Sequence, residues 1–186
     1  MKKVFVEIGV CDFDTLLPLC ENGWKGYFIE PVEKYTNFLV NECKENNYDA
    51  VVSKCAISSF NGEIDFYVSN GNAGEWSKGI SHPLHQRGEK LLELQGNKHL
   101  LEKIIKVPCF TLDAFLHYHK ISYIDYLKID VEGHEVEVME SYSWKVKPSL
   151  IKMEHSHINS TEMKNLLEYN GYLVYMEKYD LYALRK

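Results

Sequence analysis

The stretch Ile124–Glu135, I-D-Y-L-K-I-D-V-E-G-H-E, limits what this chain can fold into more than any other. Tyr126, Leu127, Ile129 and Val131 are β-formers in a short, nearly continuous apolar run, the pattern of a central strand covered on both faces. Asp130 and Glu132 close the run and Gly133 makes a turn. His134 then opens H-E-V-E-V-M-E-S-Y, where Val136 and Met139 recur at helical spacing. In open α/β sheets ligands bind at the C-terminal ends of the strands. Four ionisable groups within six residues at such an end cost stability if they are buried. An acidic helix start favoured by the helix dipole accounts for Glu132 and Glu135. It leaves Asp130, on the strand itself, unexplained.

The remaining chain supplies the sheet such a strand needs. Lys3–Ile8 is a first strand, G-V-C-D-F-D is its turn, and Thr15–Asn22 is a short helix capped by Asp14 or Thr15, with Pro18 in its first turn. Lys25–Glu30 is a second strand ending in an acid, and Pro31 opens the next helix. Val32, Tyr35, Leu39 and Cys43 give that helix one buried stripe. Asp49–Ile57 reads as a third strand. Asn61-Gly62 is a strong hairpin signal, with Ile64, Phe66 and Val68 alternating behind it. The pattern is the opening half of a doubly wound sheet.

Residues 69–106 interrupt that pattern. Their first part is rich in glycine, and an insertion this long in a small domain reads as a lid or binding loop, or else as disordered. Their second part, E-K-L-L-E-L-Q-G-N-K-H-L-L-E-K-I-I, reads as one or two helical pieces around Gly96. Thr111-Leu112-Asp113 opens a helix through about Lys120. After the focal segment, Pro148–His155 is a buried strand ending in Glu154 and His155, and Thr161–Asn170 is a helix. Tyr172–Glu177 and Leu181–Arg185 form a terminal hairpin.

A chain of 186 residues fits one domain, with 69–106 as an insertion. A formal net charge of −6 advertises no nucleic-acid or anionic-membrane surface. Five cysteines, an odd number with no C-x-x-C pair, fit reduced thiols in a cytoplasm better than disulfides or a zinc ribbon. Glu7 breaks the apolar run after the basic start, so neither a signal peptide nor a membrane span is expected.

Glu7 near the end of the first strand and Glu30, Asp130 and Glu154 at the ends of three others would gather along one edge of a parallel sheet. A glycine turn followed by an acid at the end of the second strand suits a ribose, the turn admitting the ligand and the acid taking two hydroxyls. A dinucleotide cradle would need G-x-G-x-x-G, and only Gly9 is present. S-adenosylmethionine, a nucleoside without phosphates, fits better than NAD. Asp12 and Asp14 are candidate partners for its amino acid end.

K-I-D-V-E-G-H-E resembles the signature of FkbM-type methyltransferases, a class I family dependent on S-adenosylmethionine. V-E-I-G, F-I-E-P, A-I-S-S-F-N-G-E-I-D-F-Y-V-S, V-P-C-F-T-L-D-A-F and K-P-S-L-I-K-M-E-H agree in order from Val4 to His157. The resemblance implies an α/β Rossmann-like class I methyltransferase fold, with a mostly parallel seven-stranded sheet, an antiparallel C-terminal strand and an inserted loop or helical segment. It implies that Glu7 and Gly9 form the cofactor turn, that Glu30 and Pro31 meet the ribose, and that Cys55 and Ala56 lie by the adenine. Asp130 would face the methionine end and the acceptor, with Glu132, His134 and Glu154 nearby as catalytic groups.

Transfer to a hydroxyl needs a group to remove its proton, and His134 and Glu132 are the best placed by sequence, followed by Glu154 and His155. Trp76, His82 and His155 are candidates to hold a small or sugar-like acceptor. His155-Ser156-His157 and His82-Pro83-Leu84-His85 match no specific metal motif, so no metal is expected. Clustered C-terminal tyrosines allow a homo-oligomer contact. Two other readings of the same acidic edge stay open, a non-catalytic nucleoside-binding module and a metal-dependent hydrolase.

Overall fold

A computed structural model describes residues 2–11, 15–69, 81–83 and 101–186, with side chains in the last span from residue 103. The described strands are β1 (Val4–Ile8), β2 (Lys25–Ile29), β3 (Ala50–Ser53), β4 (Ala56–Ile57), β5 (Gly62–Ser69) and β6 (His82–Pro83), followed by β7 (Leu101–Phe110), β8 (Tyr126–Ile129), β9 (Leu150–Glu154), β10 (Tyr172–Met176) and β11 (Asp180–Arg185). The described helices are α1 (Leu17–Glu21), α2 (Glu33–Glu45), α3 (Leu112–Tyr118), α4 (Glu135–Glu140) and α5 (Ser160–Tyr169). Asp12, Asp14 and Trp76 lie outside the described residues.

Seven strands form one sheet in the order β10-β11-β9-β8-β1-β2-β3. Neighbours from β3 through β9 are parallel, whereas β11 runs antiparallel to both β9 and β10. This is the mostly parallel seven-stranded sheet with a reversed C-terminal strand that the family resemblance implies. Its central strands are covered on both faces, with a buried Glu7–Lys128 pair among the apolar side chains. Val4, Val6, Ile8, Leu127 and Ile129 pack with α3, α4 and α5 through Phe115, Met139 and Leu167. Phe5 and Phe28 pack on the other face with Leu17 and Cys20 of α1 and Leu39 and Cys43 of α2. Farther along, Leu173, Tyr175 and Leu184 are 62%, 63% and 56% exposed.

Three expectations are corrected. The third strand does not run from Asp49 to Ile57. It ends at Ser53, and Ala56–Ile57 leave to pair in parallel with Cys109–Phe110 in a second sheet of order β4-β7-β5-β6. Asn61-Gly62 does not close a two-residue hairpin, because β7 lies between β4 and β5, and the Asn61 side chain instead accepts from the Thr111 N–H at 2.9 Å. The segment L-L-E-K-I-I is not helical from Leu101 onward but belongs to β7, where Val107 and Cys109 are buried and Lys106 and Pro108 are exposed. A period of two that buries one face outweighs helix propensity here, and Pro108 removes a helical donor. Among the described residues no helix is long and apolar enough to cross a membrane.

Gly9 follows β1 at φ +77°, and a Cβ there would lie 1.8 Å from the Asp130 carbonyl oxygen. Only glycine lets the turn after β1 pass this close to the end of β8. Gly9→Ala is expected to lower unfolding free energy by about 3 kcal/mol or more, read from urea denaturation, because left-handed strain and overpacking add.

Candidate functional site

The turn after β1 is tied down by an acid from β2. Val10 and Cys11 each donate a backbone N–H to Glu30 Oε2 at 3.0 Å, and Val32 donates to Oε1 at 2.7 Å. Burial pushes the Glu30 carboxyl above its ordinary range, and these three donors oppose the shift. One carboxylate thus fixes both the first turn and the start of α2.

Glu7 is placed differently from its expected role in the cofactor turn. Strand alternation turns it away from Ile8, beneath α1, and it does not line the cavity described below. Its Oε1 lies 3.1 Å from Lys128 Nζ, and its Oε2 accepts from the Thr15 hydroxyl at 3.0 Å and the Leu16 N–H at 2.9 Å. The N-cap position of α1 falls on Leu16, which has no capping side chain, so the Glu7 carboxylate serves the helix start instead. Burial raises the Glu7 pKa to about 7 against the pull of Lys128.

The loop after β8 carries the densest set of acids. The Asp130 N–H donates to the Ile8 carbonyl at 2.9 Å. Glu132 and Gly133 follow in left-handed conformation, at φ +54° and +95°. Glu135 is buried and accepts from the Val131 N–H at 3.0 Å, and burial, aided by Asp130 and Glu154, lifts its pKa to about 8. Glu132 is raised well above the carboxylate range, first by burial and then by the charges of Asp130, Glu154 and Glu135.

The histidines sort by contact. His134 is buried with Nε2 3.0 Å from Ser58 Oγ and Nδ1 3.6 Å from Glu137 Oε2, so its ring joins the start of α4 to the loop after β4. His155 Nε2 lies 2.9 Å from the Glu177 carbonyl and is held by the terminal hairpin, away from the cavity. His82 is buried against the Tyr67 ring at 5.4 Å, while its neighbours Ser81 and Pro83 line the cavity. Neither His82 nor His155 reaches the place expected of an acceptor ligand. His157 does come close, 3.7 Å from Glu132 Oε2 and 3.9 Å from Glu154 Oε1.

A cavity of about 280 Å³ opens at the C-terminal edge of the large sheet. Gly9, Val10, Cys11, Glu30 and Pro31 form one end, closed by Cys55, Ala56, Ile57 and Phe66 from the second sheet. The other end is polar, with Asp130, Glu132, His134, Lys152, Glu154 and Asp180. The structure brings Gly9, Glu30, Pro31, Cys55, Ala56, Asp130, Glu132, His134 and Glu154 to one cavity and leaves Glu7, His82 and His155 out of it. Lys152, Tyr179 and Asp180 are lining residues that the sequence reading missed. The available signal was their place at the same strand ends, Lys152 two residues before Glu154 and Asp180 at the tip of the terminal hairpin.

The large sheet is an α/β sheet of parallel strands with one reversed strand, and the cavity lies at its C-terminal edge. The family model for the methyltransferase FkbM domain matches residues 3–176, and the chain belongs to that family of S-adenosylmethionine-dependent methyltransferases. No curated protein matches the chain. Among solved structures, a SAM-dependent methyltransferase from Aquifex aeolicus is similar at 13% identity and TM-score 0.47, over 98% of this chain and 81% of that one. The Methanococcus jannaschii fibrillarin pre-rRNA processing protein is similar at 12% identity and TM-score 0.43, over 99% of this chain and 66% of that one. Neither likeness is close enough to carry an argument about the site.

The raised carboxyls fix how stability depends on pH. Folded Glu7 and Glu135 hold their protons to about 7 and about 8, whereas their ordinary value is 4.5. Their contribution is complete below the ordinary value and is lost as pH rises through the folded values. The melting temperature is therefore expected to fall from about pH 4.5 and to level off near pH 8, the interval between the ordinary and the folded values, and Glu135→Gln should flatten the decline in a calorimetric series.

Proposed function

We propose that the chain methylates a hydroxyl of a small, sugar-like acceptor seated at the polar end of the cavity. The division of that cavity into a turn-and-apolar end and an acid-rich end is the observation that supports this reading. The first end suits the cofactor's nucleoside. Glu30 stands where ribose hydroxyls would need an acceptor, the Gly9 turn carries no Cβ, and Cys55, Ala56 and Phe66 offer an apolar wall to an adenine. Asp130, between the two ends, suits the amino acid portion.

When bound, S-adenosylmethionine supplies a methyl group on a positively charged sulfur. The surrounding acids favour that charge. Glu132 lines the same end, where burial and the neighbouring charges of Asp130, Glu154 and Glu135 push its carboxyl well above the ordinary range. Asp130 would be the group that accepts the proton of the acceptor hydroxyl. Glu154, Lys152 and Asp180 orient neighbouring hydroxyls, and His134, held by Ser58, positions the loop.

Calorimetric titration with S-adenosylmethionine and S-adenosylhomocysteine, with NAD as control, tests the cofactor end. Binding of the first two is expected, and Glu30→Ala should weaken it by about tenfold to a hundredfold, the loss of charge-assisted hydrogen bonds. No heat from folded protein would remove the assignment of that end. Transfer from labelled cofactor to a panel of sugars tests the other end. Asp130→Asn should slow it by about a hundredfold or more, while an unchanged rate would clear Asp130 of the proton transfer.

A further inference from the structure

Glu132, Glu154 and His157 come from three segments, the loop after β8, the end of β9 and the loop before α5. Each offers one ligand atom, and these atoms lie within 4.8 Å of one another. A first-row divalent ion with bonds of about 2.1 Å holds its ligand atoms roughly 3 to 4.2 Å apart. The His157 separations of 3.7 Å from Glu132 and 3.9 Å from Glu154 already fall in that interval.

Two further observations distinguish this trio from an ordinary acidic patch. Its third member is a nitrogen ligand, and the backbone is shaped to admit it. A Cβ on Gly133 would lie 3.2 Å from the His157 Cβ, so glycine at that position gives the histidine room. The carboxylates also lack other partners. Among the described residues the Glu132 carboxylate accepts no hydrogen bond, and no lysine or arginine pairs with Glu132 or Glu154. Lys152, on the neighbouring strand position, is directed to Asp180 at 3.3 Å. Two acid side chains with side-chain exposures of only 16% and 22% thus converge on one imidazole. Carboxylates gathered with so little water are held together best by a cation.

We propose that Glu132, Glu154 and His157 bind one divalent first-row ion, of the Mn2+ or Zn2+ kind, at the acceptor end of the cavity. Two oxygens and one imidazole nitrogen suit such ions, and three protein ligands leave positions open. Glu132 and Glu154 line the cavity, so the open positions face it. Resting on the methyltransferase reading, the ion would take the acceptor oxygen as a ligand and make its proton easier for Asp130 to remove.

The test uses the full chain stripped with chelator and titrated with Mn2+, the free ion being followed by electron paramagnetic resonance. One ion per chain with micromolar dissociation is expected. His157→Gln and Glu132→Gln should each weaken it about tenfold or more, whereas Glu63→Gln, on the exposed start of β5, should not. In wild-type protein, bound Mn2+ should broaden the His157 ring resonances in NMR and spare those of His117, a readout that needs no variant. Absence of binding below about 1 mM, affinity unchanged in both variants, or broadening at His117 that spares the His157 ring would each overturn the proposal. The cofactor titration is run on the same sample. Ion binding without cofactor binding keeps this site and removes the functional reading, and cofactor binding without ion binding does the reverse.

Discussion

The turn after β1 and the end of β8 meet with Gly9 against the Asp130 carbonyl, and the site is built outward from that contact. Parallel pairing places β2 and β8 on either side of β1, so their ends arrive at the same edge. The Asp130 N–H closes onto the Ile8 carbonyl, and the Gly9 N–H onto the Ile29 carbonyl, each from a neighbouring strand. With these bonds made, the two loops share one boundary. The turn after β1 cannot shift without moving the strand end that carries Asp130.

Acids at this edge divide into two kinds. Glu7, Glu30 and Glu135 face inward to backbone N–H groups, lysine or hydroxyl, and each anchors a turn or helix start. Asp130, Glu132 and Glu154 line the cavity, and Glu30 does both. Burial lifts Glu7 and Glu135 to about 7 and about 8, yet their hydrogen bonds serve the starts of α1 and α4, which lack capping side chains. Architecture and chemistry thus draw on the same residue type, separated by which way each side chain turns.

Much of this was legible in the sequence, because period and punctuation carry the alternation of strands and helices. The apolar run ending in Asp130, the stripe of α2 and the acid ending β2 all follow from local pattern. The role of Glu7 does not, although a lysine inside the apolar focal strand was a signal that some buried acid must answer Lys128. The choice among His82, His134, His155 and His157 depends on loop paths across the sheet edge, which no local pattern records. The split of Ala50–Ile57 between two sheets was hidden for a similar reason, since an apolar run looks the same whichever partner it finds.

The reversed direction of β11 has a further effect. Parallel β1, β2, β8 and β9 bring their ends or the residues just after them to the site, but β11 begins there, with Asp180 paired across to Glu154. The hairpin tip at Tyr179-Asp180 therefore forms a wall of the cavity, and the last strand of the chain is part of it. Residues far along the chain are thus recruited by polarity of direction rather than by length of reach. A change in how the final hairpin seats would be felt first by whatever lies beside Glu154, and only later by the core beneath.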